Sequence, residues 1–230
     1  MSPVSAPAFG RAMLKEWMLD PQGVYLNHGT VGAPPRRVLA AQQAIRDEIE
    51  RQPARFQLRE LADVKEIVMR ARPRMRVAAD AVAQFVGARS DDLAFVDNTT
   101  AGVNAVLRSI RFETGDEILL TDLGYGAIRK ISDFVAERSG AVVRVVDLPG
   151  PPYEAGAIVD SIARAFTPRT RVLVVDHITS GSALILPVAE IVKRARAAGV
   201  AVLVDGAHVP GALHLDISAL GADWYTGNLH

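Results

Sequence analysis

Short apolar runs at 93–96, 118–121, 142–146, 172–175 and 200–204 punctuate the second half of this chain, with helical patterns between them. The runs are rich in Val and Leu and show no polar alternation. A strand reads this way when both of its faces are covered. The intervening patterns, at 101–109, 127–139, 158–165 and 187–198, have the spacing of amphipathic helices. Strand and helix in regular alternation predict a doubly wound, mostly parallel sheet in a three-layer α/β/α architecture. In such sheets, ligands bind outside the carboxyl ends of the strands.

The first 90 residues read differently. Residues 1–35 hold five prolines and are expected to be irregular. A helix is predicted over 36–51, ended by Pro53, and a second over 58–86 that Pro73 should kink or split. The expected organisation is an N-terminal arm with helices over 1–90 and a large domain over 91–230. With 26 Lys and Arg against 26 Asp and Glu, the chain has no net charge, so nothing favours nucleic acid or an anionic membrane. No apolar run approaches the roughly 18–20 residues of a membrane span. The first residues lack the pattern of a signal peptide, and a cytoplasmic location is expected. The absence of cysteine excludes a disulfide framework within these residues.

Polar groups cluster after the apolar runs. Asp205 follows the run at 200–204, where its carboxylate could pair with a protonated ring nitrogen or simply cap the next turn. Asn98, Thr99 and Thr100 open a helix, which suits either a phosphate site or an ordinary N-cap. Tyr125, between Gly124 and Gly126, could lie against a planar ligand or pack at a core edge. Asp176, His177, Thr179 and Ser180 follow the run at 172–175. A metal centre of His177, Asp205, His208 and His230 matches no known local spacing, so no metal is expected. The glycine fingerprint of a dinucleotide site is absent, and so is a hydrolase nucleophile elbow.

Taken in order, Tyr25-Leu-Asn-His-Gly-Thr-Val-Gly32, Asn98-Thr-Thr-Ala-Gly-Val-Asn104, Gly115-Asp-Glu, Asp205-Gly-Ala-His and Thr226-Gly-Asn-Leu-His230 resemble the class V aminotransferases. These are fold-type I pyridoxal-phosphate enzymes, and the likeness is nearest to the isopenicillin N epimerase-like branch. It covers about residues 20–230.

The resemblance implies a seven-stranded type of sheet and pyridoxal 5'-phosphate as cofactor. Asp205 would hold the pyridinium nitrogen, Tyr125 would stack on the ring, and His208 and Ser180 would lie near it. Thr99, Thr100, Asn228 and His230 would bind the phosphate. Asn27, His28, Gly29 and Arg55 would serve an amino-acid-like substrate. The Schiff-base lysine is expected directly after His230, with a small C-terminal domain beyond it, and the enzyme is expected to be a homodimer. The implied chemistry passes through a Cα carbanion: epimerisation first, with elimination, desulfuration or transamination as alternatives. A non-catalytic cofactor- or nucleotide-binding α/β domain is the rival from another class.

Overall fold

The computed structural model describes residues 9–61 and 72–229. The chain divides into two compact units, 1–78 and 79–229. In the first unit a 3-10 helix, Gly10–Glu16, stands where irregular chain was expected. Its last five residues, Ala12 to Glu16, are good helix formers, and local preference suffices for so short an element. Helix α1 (Arg36–Arg51) follows Pro35. Proline lacks an amide hydrogen, so it loses nothing at a helix start. The helix ends at Gln52, and Pro53 opens α2 (Pro53–Arg55), which runs into a π-helical turn, Phe56–Glu60. Phe56 is buried, with the Arg74 guanidinium 4.7 Å from its ring centroid.

Helix α3 (Arg74–Val86) starts directly after Pro73, so the proline begins a helix rather than kinking one. The stretch 62–71 of the expected 58–86 helix lies outside the described residues. The division into units falls at 78/79, inside α3, whereas the sequence texture changes near residue 90. Val86, toward the helix end, packs in a small cluster with Val209 and Leu215 of the second unit, which explains that placement.

The second unit carries α4 (Thr99–Ser109), β1 (Glu117–Thr121), α5 (Gly126–Ser139), β2 (Val142–Val146) and α6 (Ala155–Ala165). It continues with β3 (Thr170–Asp176), α7 (Val188–Ala197), β4 (Ala201–Asp205), α8 (Ile217–Leu220) and β5 (Trp224–Thr226). The strands form one sheet of order β2-β1-β3-β4-β5, and every pairing is parallel. The described residues thus contain five strands, against the seven-stranded type implied by the resemblance.

One expected strand, 93–96, is not in the sheet. Leu93 is extended, but among the described residues no strand pairs with the segment, and Phe95 and Val96 are exposed. An apolar run has the composition of a strand; only a neighbouring ladder makes it one.

Side-chain alternation sorts the core into two layers. Leu119, Leu173, Val175, Val202 and Val204 pack with Ile158 and Ile162 of α6 and Ile191 and Val192 of α7. Ile118, Leu120, Val172, Val174 and Leu203 point the other way, onto Val103 and Leu107 of α4 and Ile128 and Val135 of α5. Helices cover both faces, so the middle positions of the central strands are apolar. The edge strand β2 is more exposed, including Val142 and Val145.

Candidate active site

The two ends of the sheet differ in how they treat carboxylates. At the amino end, Glu117 is well supplied: Arg144, Thr167 and Thr170 all donate to Oε2, at 2.7–2.9 Å. Burial pushes this carboxyl up, and the three hydrogen bonds outweigh it and hold the group below its usual range. At the carboxyl end, Asp176 closes β3 and Asp205 closes β4. Their relative exposures are only 7% and 5%, and among the described residues neither forms an ion pair. Burial raises both carboxyls. For Asp176 the neighbouring Asp205 charge adds to it and the group reaches about 7. A backbone amide, Ala207 N, donates to Asp205 Oδ1 at 3.0 Å and partly offsets the rise, as does His208.

Asp176 and Asp205 are partners in the parallel β3–β4 register. Alternation places Asp176 on the face of Val172 and Val174, and Asp205 on the face of Leu203, so both point to the α4/α5 side. There they line a cleft of about 240 Å³ together with Thr121, Gly124 and Tyr125. Tyr125 precedes α5 and keeps 48% of its surface exposed, so its ring is available to a ligand at the cleft mouth.

A second polar group forms at the start of α4. Asn98 caps the helix by accepting from Ala101 N at 2.8 Å. Asn228, just past β5, accepts from Thr99 N at 3.1 Å, which joins residues 129 positions apart. The Thr99 hydroxyl is buried and has no hydrogen-bond partner among the described residues, a cost unless a ligand meets it. Thr100 is half-buried in the same turn, where the helix dipole favours an anion. Ser180 is exposed in the turn after β3, and His208 is half-buried in the loop after β4. Neither lines the cleft. His230 lies outside the described residues.

The expected substrate residues belong to the first unit. Asn27, His28 and Gly29 form an exposed turn in which Tyr25 meets the His28 ring edge-on at 4.8 Å. Arg55 is exposed and occupied locally, with Glu60 at 2.5 Å and Gln52 at 3.2 Å.

Three residues to which the resemblance assigned no role belong to the carboxyl end of the sheet. Asp176 is one. Thr121 is another, with a buried hydroxyl that lacks a partner among the described residues. Tyr225 is the third; its hydroxyl lies 3.0 Å from His177 Nδ1 on the opposite sheet face. Burial first, and then the Asp205 charge, raises its phenol. The signal for Asp176 was present in the period-2 alternation of β3, but its importance depends on the β4 partner.

Gly206 explains how Asp205 is followed so closely by a turn. A Cβ at Gly206 would overlap the Tyr225 ring tip at 2.2–2.3 Å. Gly206→Ala is therefore expected to expel Tyr225, break its bond to His177 and destabilise the fold by about 1–3 kcal/mol. Chemical denaturation measures this; an unchanged midpoint would show that the phenol relocates freely.

The family model described as aminotransferase class-V matches residues 24–230. Isopenicillin N epimerase of Streptomyces clavuligerus is 38% identical over 213 residues, covering 93% of this chain and 51% of that protein. A probable chloroplastic L-cysteine desulfhydrase of Arabidopsis thaliana is 33% identical, covering 92% of this chain and 46% of its own length. The solved cystine C–S lyase C-DES, in complex with its product cysteine persulfide, aligns with a TM-score of 0.73 at 27% identity. That match covers 90% of this chain and 53% of the lyase. A mutant of C-DES carries glycine covalently linked to its PLP cofactor. This chain spans about half the length of the curated relatives it matches.

Proposed function

The chain belongs to the class V aminotransferase family, and from that premise we propose that it forms the cofactor-binding part of a pyridoxal-phosphate enzyme. The reaction proposed is on an amino acid or small peptide at its Cα, most like an isopenicillin N epimerase-type racemisation. The observation that carries this reading is Asp205, buried at the carboxyl end of β4 with no ion-pair contact among the described residues. A buried carboxylate is stable only with a partner, and a protonated ring nitrogen supplies one.

The residues fit the rest of the group as well. The unpartnered Thr99 hydroxyl, with Thr100 and Asn228 at the α4 N-terminus, suits a phosphate. Tyr125, open at the cleft, suits a ring face. His208 and Ser180 follow β4 and β3 and would serve the ring's oxygen. His230 would join the phosphate set. Asn27, His28, Gly29 and Arg55 would receive the substrate. Pyridoxal phosphate, when bound, supplies an electron sink for the pair left on carbon when a bond breaks. Asp205 would keep the proton on the ring nitrogen that makes the sink effective, and a lysine following His230 in the whole protein would move the Cα proton.

A lyase is the second reading, favoured by the desulfhydrase relative and by the likeness to a C–S lyase. A homodimer and a cytoplasmic location complete the proposal; among the described residues no helix is long and apolar enough to cross a membrane.

The whole protein is expected to be yellow with bound pyridoxal phosphate and to lose its visible absorption irreversibly on borohydride reduction. A colourless protein that takes up no pyridoxal phosphate overturns the reading. Solvent deuterium entering Cα with inversion marks the epimerase, and sulfide release from L-cysteine marks the lyase.

A further inference from the structure

We propose that Asp176 is a second functional carboxyl of the cleft, a positioning residue that stays neutral and holds a proton beside ionised Asp205. The cleft then presents one negative charge to a cationic ring. This deepens the cofactor reading above and rests on it for its purpose, though the proton-holding pair itself is a property of the chain.

The geometry argues as follows. Asp176 and Asp205 are register partners on adjacent parallel strands, and parity puts both carboxyls on the same sheet face. Adjacent strands lie about 4.8 Å apart, so two ionised carboxylates there would repel strongly in a poorly solvated space. Both line the one cleft.

The charged groups around them compensate the pair only in part, and only at Asp205. Arg129 lines the cleft, but its guanidinium is drawn off to Asp133 at 2.9 Å. Asp122, after β1, adds negative charge and accepts from Leu148 N. Tyr125 and Thr121 contribute hydroxyls, and Tyr225, on β5, feels the Asp205 charge. His208 acts on Asp205. Each carboxyl has a backbone amide, Asp176 its own and Asp205 that of Ala207 at 3.0 Å, but only Asp205 has His208 as well, so the negative charge settles on Asp205 and the proton on Asp176.

The test is carbon-13 NMR of aspartate side-chain carboxyls in the cofactor-free whole protein. One carboxyl should titrate near neutrality, vanish in Asp176→Asn and move to lower pH in Asp205→Asn. The idea is overturned if every aspartate titrates below about pH 5, or if the neutral titration survives Asp176→Asn. A second readout is affinity for pyridoxal phosphate, an anion overall. Above neutrality the parent should lose affinity relative to Asp176→Asn, approaching about tenfold per pH unit for a single proton; a pH-independent ratio also overturns it. If Asp176 titrates near neutrality but no pyridoxal phosphate binds, the cofactor reading fails and the proton-holding pair stands. If the cofactor binds while Asp176 titrates with ordinary carboxylates, the pair fails alone.

Discussion

Replacing Asp205 with Asn in the whole protein should weaken pyridoxal phosphate binding about a hundredfold or more and abolish turnover, without loosening the cofactor-free fold. The two halves of this result have one cause. Without the cofactor the Asp205 carboxylate is buried with no ion-pair contact among the described residues, and burial raises its pKa. A neutral amide of the same shape removes that penalty, so the cofactor-free variant should be at least as resistant to urea as the parent. With the cofactor in place the balance reverses, because the ring cation loses its counter-charge. Breaking a buried pair from one side costs about 3–5 kcal/mol, and 1.4 kcal/mol is about tenfold in affinity. Cofactor titration followed by absorbance, beside urea melts of the stripped protein, reads both halves. Undiminished affinity would remove Asp205 from the ring-nitrogen role. Lost affinity with a collapsed fold would mean that the residue is structural.

The cofactor-free protein should also become less stable as pH rises from about 4 to about 7. Asp176 sits at about 7 in the folded state against an ordinary value of 3.8. Between those limits the folded state binds more protons than the unfolded one, so the free energy of unfolding falls with pH. Below the lower limit Asp176 is protonated in both states and contributes no penalty; above the upper limit the penalty is complete. Each pKa unit corresponds to about 1.4 kcal/mol, so the full range is worth at most about 4 kcal/mol. Asp205, also raised, acts in the same direction. Asp176→Asn should flatten most of the slope and make the variant the more stable protein at pH 8. Urea midpoints at pH 4.5, 6 and 8 would follow the effect; parallel curves for parent and variant would refute it.

Much of the architecture was legible in the chain. Central strands covered on both faces must be apolar along their middle positions, and 118–120, 172–175 and 200–204 are. The helices at 101–109, 127–139, 158–165 and 187–198 emerged within a few residues of those bounds, because their apolar faces repeat at the helical period. The ordered motif series singled out Asp205 and Thr99, and the glycines flanking it singled out Tyr125; all three lie at the carboxyl end of the sheet.

What the chain alone determined is therefore local: which segments are strands or helices, which face each side chain takes, and which residue types close each strand. Tertiary structure decided everything that needs a partner. The run at 93–96 has a strand's composition, but among the described residues no strand pairs with it. Asn228 meets Thr99 across 129 positions. Gly206 is required by a tyrosine that arrives from the next strand. Above all, Asp176 is an ordinary strand end until the β3–β4 register sets it beside Asp205. Periodicity is a property of one segment and can be read along it. Burial and charge repulsion are properties of pairs, and only folding chooses the pairs.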